Sequence, residues 1–365
     1  MQTLRIVPNL RSSVVEEMPA GQVLLFTSEL DDSDAALLTN PAVLPFTWSR
    51  LITALRDPDL ELIEVAEPLW PGEWVRAIRY IALVKVLRLA RPRRKVAIAT
   101  YAIENLDARD RLSFPSLDAR PVLGAVVSGL AAVGLGLSLL LLDAVVFGTS
   151  GAYENYRRAF GWSLRRTRHA VLPPRVSACT VCGPAAGTGA PRDRTVLFLG
   201  APSERKGFPV LLRAWELSAA ADRGWRLVVA DPTGKGDRHD LPCGVSVRTA
   251  PTRQAVHGLL RSSAVVAMPS VRLRRWREQI GLPLVEGLAH GCRVVTTTET
   301  GLAADLLGHP QVTFTAPGDP QSLADGLRRA TDPEHRAAEP TADVAGREGY
   351  TKRDVVQWWL ASGRP

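Results

Sequence analysis

Short hydrophobic runs separated by longer amphipathic stretches dominate the second half of the chain. TVLFL (Thr195–Leu199), WRLVVA (Trp225–Ala230), Val245–Arg248, the Val265–Val266 pair closed by Pro269 and Ser270, Arg293–Thr298 and Val312–Phe314 have the composition of buried strands. Between them, 207–221, 252–261, the stretch from Pro283 to His290 and 321–330 carry helical patterns. Strand, helix, strand in strict alternation predicts a parallel sheet covered by helices.

The first half alternates less cleanly. Residues 1 to 20 show no clear element, whereas VLLFT (Val23–Thr27), LELIEVA (Leu60–Ala66), VAIATY (Val96–Tyr101) and AVVFGT (Ala144–Thr149) read as strands. Helices are expected from Thr47 or Trp48 to Arg56, over Glu73–Leu89 and over Ser150–Arg165. Lys85 and Arg88 fall on the same side of the second of these as Trp74 and Ile78, which favours a partly buried domain helix over one lying on a membrane, despite the basic run RPRRK (91–95) that follows.

Val122–Leu142 contains no charge and is long enough to cross a bilayer. The strands on either side of it belong to one sheet, and a single crossing would separate them. Burial against the sheet is the preferred expectation, with a place in the membrane interface as the alternative. Leu172–Arg194, rich in Pro, Gly, Ala and Thr, has linker composition. Tyr350–Ala361, with Val355, Trp358, Trp359 and Leu360, reads as a closing amphipathic helix.

At 365 residues the chain exceeds one typical core, so two domains are expected. Hydrophobic content of 46% and charged content of 22% exclude a disordered protein. No apolar signal-peptide region marks the first twenty residues, which carry Glu16, Glu17 and Pro8. A net charge of +8 favours anionic partners, a nucleotide diphosphate or an acidic membrane face. Nucleic acid is the least favoured of them, because the basic residues are scattered and only RLRRWR (272–277) mixes arginines with an aromatic ring. Cys179 and Cys182 form a CxxC, but no second pair of ligands follows at zinc spacing. The expectation is therefore no metal, with the four cysteines as free thiols in a reducing cytoplasm.

Candidate chemistry gathers in 264–307. Glu278 and Glu286 flank a Gly281–Leu282–Pro283 turn into a helix, whose unpaired N–H groups and dipole make a seat for phosphate. Glu286 can accept bonds from sugar hydroxyls. The competing view makes Glu286 an ordinary solvated helix residue and Glu278 a loop charge paired with Arg275 or Arg277. Negative charge on a phosphate seated there needs cations nearby. GAPSERKG (Gly200–Gly207) places Arg205 and Lys206 after a strand's carboxyl end, where they can supply them. Glu104 and Asn105, directly after VAIATY, occupy the position where open α/β sheets bind ligands and are candidate acceptor-side residues; a helix N-terminal turn stabilised by Glu104 is the alternative.

The Glu, seven residues, Glu spacing, the GLP turn, EGLAHG and VVTTTETG resemble the donor-binding core of retaining GT-B glycosyltransferases of the group 1 type, over residues 194 to 307. The resemblance implies an α/β GT-B fold: two facing, doubly wound Rossmann-like domains with a cleft between them. It divides the chain into an acceptor-side domain (1–171), a linker (172–194), a nucleotide-sugar domain (195–346) and a final helix (347–365) that packs back on the first domain. It implies donor binding by Glu286 to ribose and by Gly281 and the amides of Leu282 and Pro283 to diphosphate, with Gly200 close by. Catalytic roles would fall on Glu278 toward the sugar, Lys206, and Arg205 as a substitute for the arginine that Ala201 replaces. TSELDDSDAA, after the first predicted strand, stands where that family has a glycine-rich loop. All six histidines lie at or after position 169, so the first domain is not expected to supply a histidine near the sugar.

No cofactor is implied, the nucleotide diphosphate sugar being the donor substrate. The acceptor is open between a small molecule and a lipid-linked one, and an anionic membrane surface is an open partner. A cytoplasmic protein is expected, with peripheral attachment to the inner membrane face as an extension. Two further readings compete with glycosyl transfer: a nucleotide-sugar epimerase or hydrolase on the same frame, and a non-catalytic nucleotide-sugar-binding protein.

Overall fold

A computed structural model describes residues 2–16, 18–29, 39–90, 96–113, 119–174, 179, 182, 192–234 and 241–332. The chain divides into two compact units, one running from Met1 to Pro174 and the other beginning at Arg175. RPRRK, most of the expected linker and the closing amphipathic helix lie outside the described residues, as does most of TSELDDSDAA.

The first unit comprises β1 (Gln2–Leu10), α1 (Ser12–Glu16), β2 (Gln22–Glu29), β3 (Val43–Pro45), α2 (Trp48–Arg56), β4 (Leu60–Val65), α3 (Pro71–Ala90), β5 (Ala97–Ala102), α4 (Ala108–Arg111), α5 (Pro121–Leu139), β6 (Ala144–Phe147), α6 (Ser150–Leu164) and β7 (Arg168–Val171). Its strands lie in the order β3-β2-β1-β4-β5-β6-β7, and all pairs are parallel. Both faces are buried. In β5, Ile98 and Ala102 join the large core built on Trp74, Phe147, Tyr156 and Phe160, while Ala97 and Ala99 face the other side.

β1 is the element that the sequence pattern hides. It lies between β2 and β4, yet QTLRIVPNL carries a proline and a charge. The charge is neutralised across the ladder, where Arg5 pairs with Glu64 on β4 at 3.0 Å. In α3 the two cations that spoil the apolar stripe both turn to Asp143, Arg88 at 2.5 Å and Lys85 at 3.8 Å.

α5 corrects the expectation of burial. As the crossover between the paired strands β5 and β6 it cannot span a bilayer with the sheet intact. Only one side of it packs: Gly136 lies against the Trp162 ring of α6, and Ala132, Leu135 and Leu139 face the core. Val122, Val126, Leu130, Val133 and Leu137, spaced as one helical stripe, are each more than half exposed.

The second unit comprises β8 (Asp193–Leu199), α7 (Phe208–Ser218), β9 (Arg226–Asp231), β10 (Val245–Thr249), α8 (Arg253–Ser262), β11 (Ser263–Met268), α9 (Leu282–Ala289), β12 (Arg293–Thr297), β13 (Val312–Thr315) and α10 (Pro320–Thr331). The order β10-β9-β8-β11-β12-β13, all parallel, reverses direction between β8 and β11. Ligands of open α/β sheets bind outside the carboxyl ends of strands at such a reversal.

Candidate active site

The loops after β8 and β11 meet at that reversal. Arg205 accepts the Val271 N–H on its carbonyl at 3.0 Å. Gly207 has φ 69°, and a Cβ there would lie 1.9 Å from the Pro269 carbonyl oxygen, so only glycine lets the loops approach this closely. Lys206 is thereby aimed across the gap. Its Nζ lies 2.5 Å from Glu278 Oε2, and the Ser270 hydroxyl donates to the same oxygen at 3.1 Å. The two side chains are 16% and 11% exposed, so water screens the pair weakly. The Trp276 ring lies beside both cations, 4.9 Å from the Arg205 guanidinium and 5.5 Å from the Lys206 ammonium.

From Glu278 the chain bridges to Thr300, whose hydroxyl donates to the Ile280 carbonyl at 2.7 Å, and then turns into α9. Gly281 caps that helix with φ 81°, where a Cβ would meet Met268 Cε at 2.7 Å and Thr300 Oγ1 at 2.9 Å. Of the two residues expected to offer amides to a diphosphate, Pro283 has no N–H and serves instead to preset the first turn. Leu282 is left as the donor of that pair. One turn further on, Glu286 is held by Arg253, the first residue of α8, at 2.6 Å. A cation, an anion-favouring helix N-terminus and two oriented carboxylates thus share one end of the sheet.

Residues 193–332 match the family model described as Glycosyl transferases group 1. The match spans the second unit from β8 to α10 and leaves the first unit outside it. No curated protein matches the chain. Among solved structures it is similar to Alr3699/HepE of Anabaena in complex with UDP, at 15% identity and TM-score 0.64 over 100% of both chains. It is also similar to an alpha,alpha-trehalose-phosphate synthase (UDP-forming) from Burkholderia vietnamiensis, at 16% identity and TM-score 0.60, covering 99% of this chain and 98% of that one. WaaG, a glycosyltransferase involved in lipopolysaccharide biosynthesis, gives 14% identity and TM-score 0.60 over 99% and 100% of the two chains. The fold of the chain is the two-domain, Rossmann-like GT-B fold.

In the second unit Glu278 does not pair with Arg277, one of the two partners the competing view supposed. Arg277 binds Glu299 at 2.7 Å, and Lys206 takes Glu278. Glu286 is 18% exposed and ion-paired, not a solvated surface charge. Arg205 lies beside Trp276. Gly200 directly follows β8 and donates its N–H to the Ala230 carbonyl at 3.0 Å. Ser270, Trp276 and Arg253 were missed. Ser270 could have been found as the hydroxyl directly after β11, and Trp276 as the ring inside RLRRWR, but nothing local marks Arg253.

The first unit treats its own carboxylates differently. Glu104 and Asn105 are buried at 3% and 4% exposure. The Glu104 carboxylate accepts the Leu106 N–H at 3.0 Å and pairs with Arg111 at 3.4 Å, as a local turn requires. Sequence reasoning missed Glu67, just past β4. Its carboxyl group is bonded by the N–H groups of Ile103 (3.0 Å) and Glu104 (3.2 Å) and by the Tyr156 hydroxyl (2.9 Å). Burial first, then the neighbouring Glu104 charge, pushes its pKa up to about 8. His169, the first histidine of the chain, lies in β7 of this unit, stacked on Tyr153 at 5.8 Å.

One further group stands apart from these. Cys179 and Cys182 lie beside His257 and His290, with one ligand atom from each within 4.8 Å of all the others. These histidines bring beside the CxxC the second pair of potential ligands that the sequence spacing lacked.

Proposed function

We propose that the protein transfers a glycosyl group from a nucleotide diphosphate sugar to an acceptor hydroxyl, with retention at the anomeric carbon. The observation that carries this reading is the Lys206–Glu278 pair at the β8/β11 reversal, reached by the same loop that enters α9 through Gly281. An incoming diphosphate competes with Glu278 for the Lys206 ammonium. Lys206 then stabilises the charge that grows on the leaving phosphate, together with the Leu282 N–H and the α9 dipole. Released from Lys206, Glu278 faces the sugar, while Glu286, oriented by Arg253, accepts the ribose hydroxyls. Arg205 adds positive charge at the rim. The leaving phosphate itself takes the acceptor's proton, so the step requires no protein base.

Acceptor recognition is assigned to the first unit, where Glu104 and Asn105 act by shaping the loop after β5. The exposed apolar stripe of α5 supports a lipid-linked acceptor and attachment to an anionic membrane surface.

A melting-temperature screen against uridine, guanosine and adenosine diphosphate sugars tests the donor half. A sugar nucleotide at 100 times its Kd stabilises the fold by about 2.7 kcal/mol. Uridine donors come first, because the similar Anabaena protein was solved with UDP and with UDP-glucose. Product NMR with the donor that binds then reads the anomeric configuration. An inverted product removes retention, and the release of epimer or free sugar without transfer removes the transferase.

A further inference from the structure

We infer that Cys179, Cys182, His257 and His290 form a tetrahedral Zn²⁺ site that fastens the chain after the first unit to α8 and α9. The four ligand atoms lie within 4.8 Å of one another. Zinc bonds of about 2.3 Å to sulfur and about 2.0–2.1 Å to nitrogen, at tetrahedral angles, place S and N about 3.6 Å apart and N and N about 3.3 Å apart. Cys179 Sγ is 3.5 Å from His257 Nδ1, and His257 Nδ1 is 3.2 Å from His290 Nε2. Direct hydrogen bonds among four soft donors do not require that all of them converge. A shared cation does.

The surroundings orient the ligands as a metal site requires. His290 Nδ1 lies 2.7 Å from the Glu286 carbonyl, which accepts its N–H and leaves Nε2 as the lone-pair nitrogen turned to the cluster. The Cys179 N–H donates to the Ala289 carbonyl at 3.3 Å, so the Cys179 backbone is laid against the end of α9 independently of its sulfur. Both histidines are buried, at 6% and 4% exposure. Two thiolates, two neutral imidazoles and a dication sum to zero charge, which a half-buried position tolerates. Two thiolates with two imidazoles are the donor set of structural zinc, and four protein ligands leave no open coordination position for chemistry.

The site also lies one helical turn from the donor-binding pair. His257 follows Arg253 by four residues on α8, and His290 follows Glu286 by four at the end of α9. Zinc would therefore clamp the two helices that carry the Arg253–Glu286 pair.

The test is elemental analysis of the full chain purified under reducing conditions in zinc-supplemented medium and dialysed against metal-free buffer. About one zinc per chain is expected, retained by Cys243→Ser and lost by the double variant Cys179→Ser/Cys182→Ser. Because the double variant could fail to fold, the wild-type protein is also stripped and titrated with Co²⁺. The expected spectrum has thiolate-to-cobalt charge transfer in the near ultraviolet and the intense visible bands of tetrahedral cobalt, both abolished by one equivalent of Zn²⁺. Any of four results would overturn the site: less than about 0.1 zinc per chain, an octahedral cobalt spectrum, zinc content unchanged in the double variant, or a Cys179–Cys182 disulfide that takes up no metal after reduction.

Discussion

The two units share one sheet plan and put it to opposite uses. Each orders its strands outward from a reversal, β1/β4 in the first and β8/β11 in the second. At the second reversal, Lys206 and Glu278 are held at 16% and 11% exposure with Trp276 beside them and a helix N-terminus following. At the first, Glu67 is 2% exposed and filled by three donors, and its carboxyl group stays protonated to about pH 8. Topology supplies the position, and the side chains decide whether charge there meets a ligand or ties loops together.

Removing the exposed pair breaks this contrast most strongly. Lys206→Ala and Glu278→Ala are each expected to lower kcat by about 10²-fold or more, the scale of one charge-stabilising donor. Glu67→Gln should leave kcat within a few-fold. Steady-state kinetics with the donor found by thermal shift decides it, and unchanged turnover in both alanine variants would sink the proposed mechanism. Gly207→Ala comes next, since its Cβ would lie 1.9 Å from the Pro269 carbonyl at φ 69°. Backbone strain alone costs about 1–3 kcal/mol, and parting the loops moves Lys206 off Glu278. The urea midpoint should fall and activity should fall further than stability explains.

How legible each unit was follows from the same contrast. In the second unit the strands announce themselves as apolar runs, and Gly281, Pro283, Lys206 and Gly207 are punctuation whose meaning is local. Their positions were accordingly readable, although the partner of Glu278 was not, because Lys206 is distant in sequence. In the first unit β1 was invisible, since Arg5 needs Glu64 on another strand to make a buried charge tolerable. The Arg253–Glu286 pair and the Cys–His group escaped for the same reason: each joins elements far apart along the chain, and no spacing rule records such a meeting. α5 misled in the other direction, because hydropathy reports what a helix could bury and not whether anything covers it.

Glu67 offers a test of moderate size with a definite sign. A carboxyl whose pKa rises from 4.5 to about 8 on folding binds more protons folded than unfolded between those values. Its stabilising contribution is complete below about pH 4.5 and is lost as pH climbs through 8. Wild-type Tm should therefore decline from pH 5 to pH 8.5 by an amount that Glu67→Gln removes, leaving a flatter profile. Parallel profiles for the two proteins would show that Glu67 is ionised in the folded unit.

The smallest expected effect on the fold falls on the open side of α5, a helix whose two sides differ. On the packed side Leu139 is fully buried, and Leu139→Ala should cost about 2–5 kcal/mol. On the open side Leu130 and Val133 are 69% and 55% exposed, so Leu130→Ser/Val133→Ser should change stability by no more than about 0.5 kcal/mol per site. Donor binding, which the proposed function gives to the second unit, should not change. If the stripe meets lipid, the double variant loses flotation with vesicles containing anionic phospholipid while the wild type floats, because two serines remove apolar area without altering charge. Equal flotation of the two proteins would separate α5 from any membrane role and leave charge alone to account for attachment.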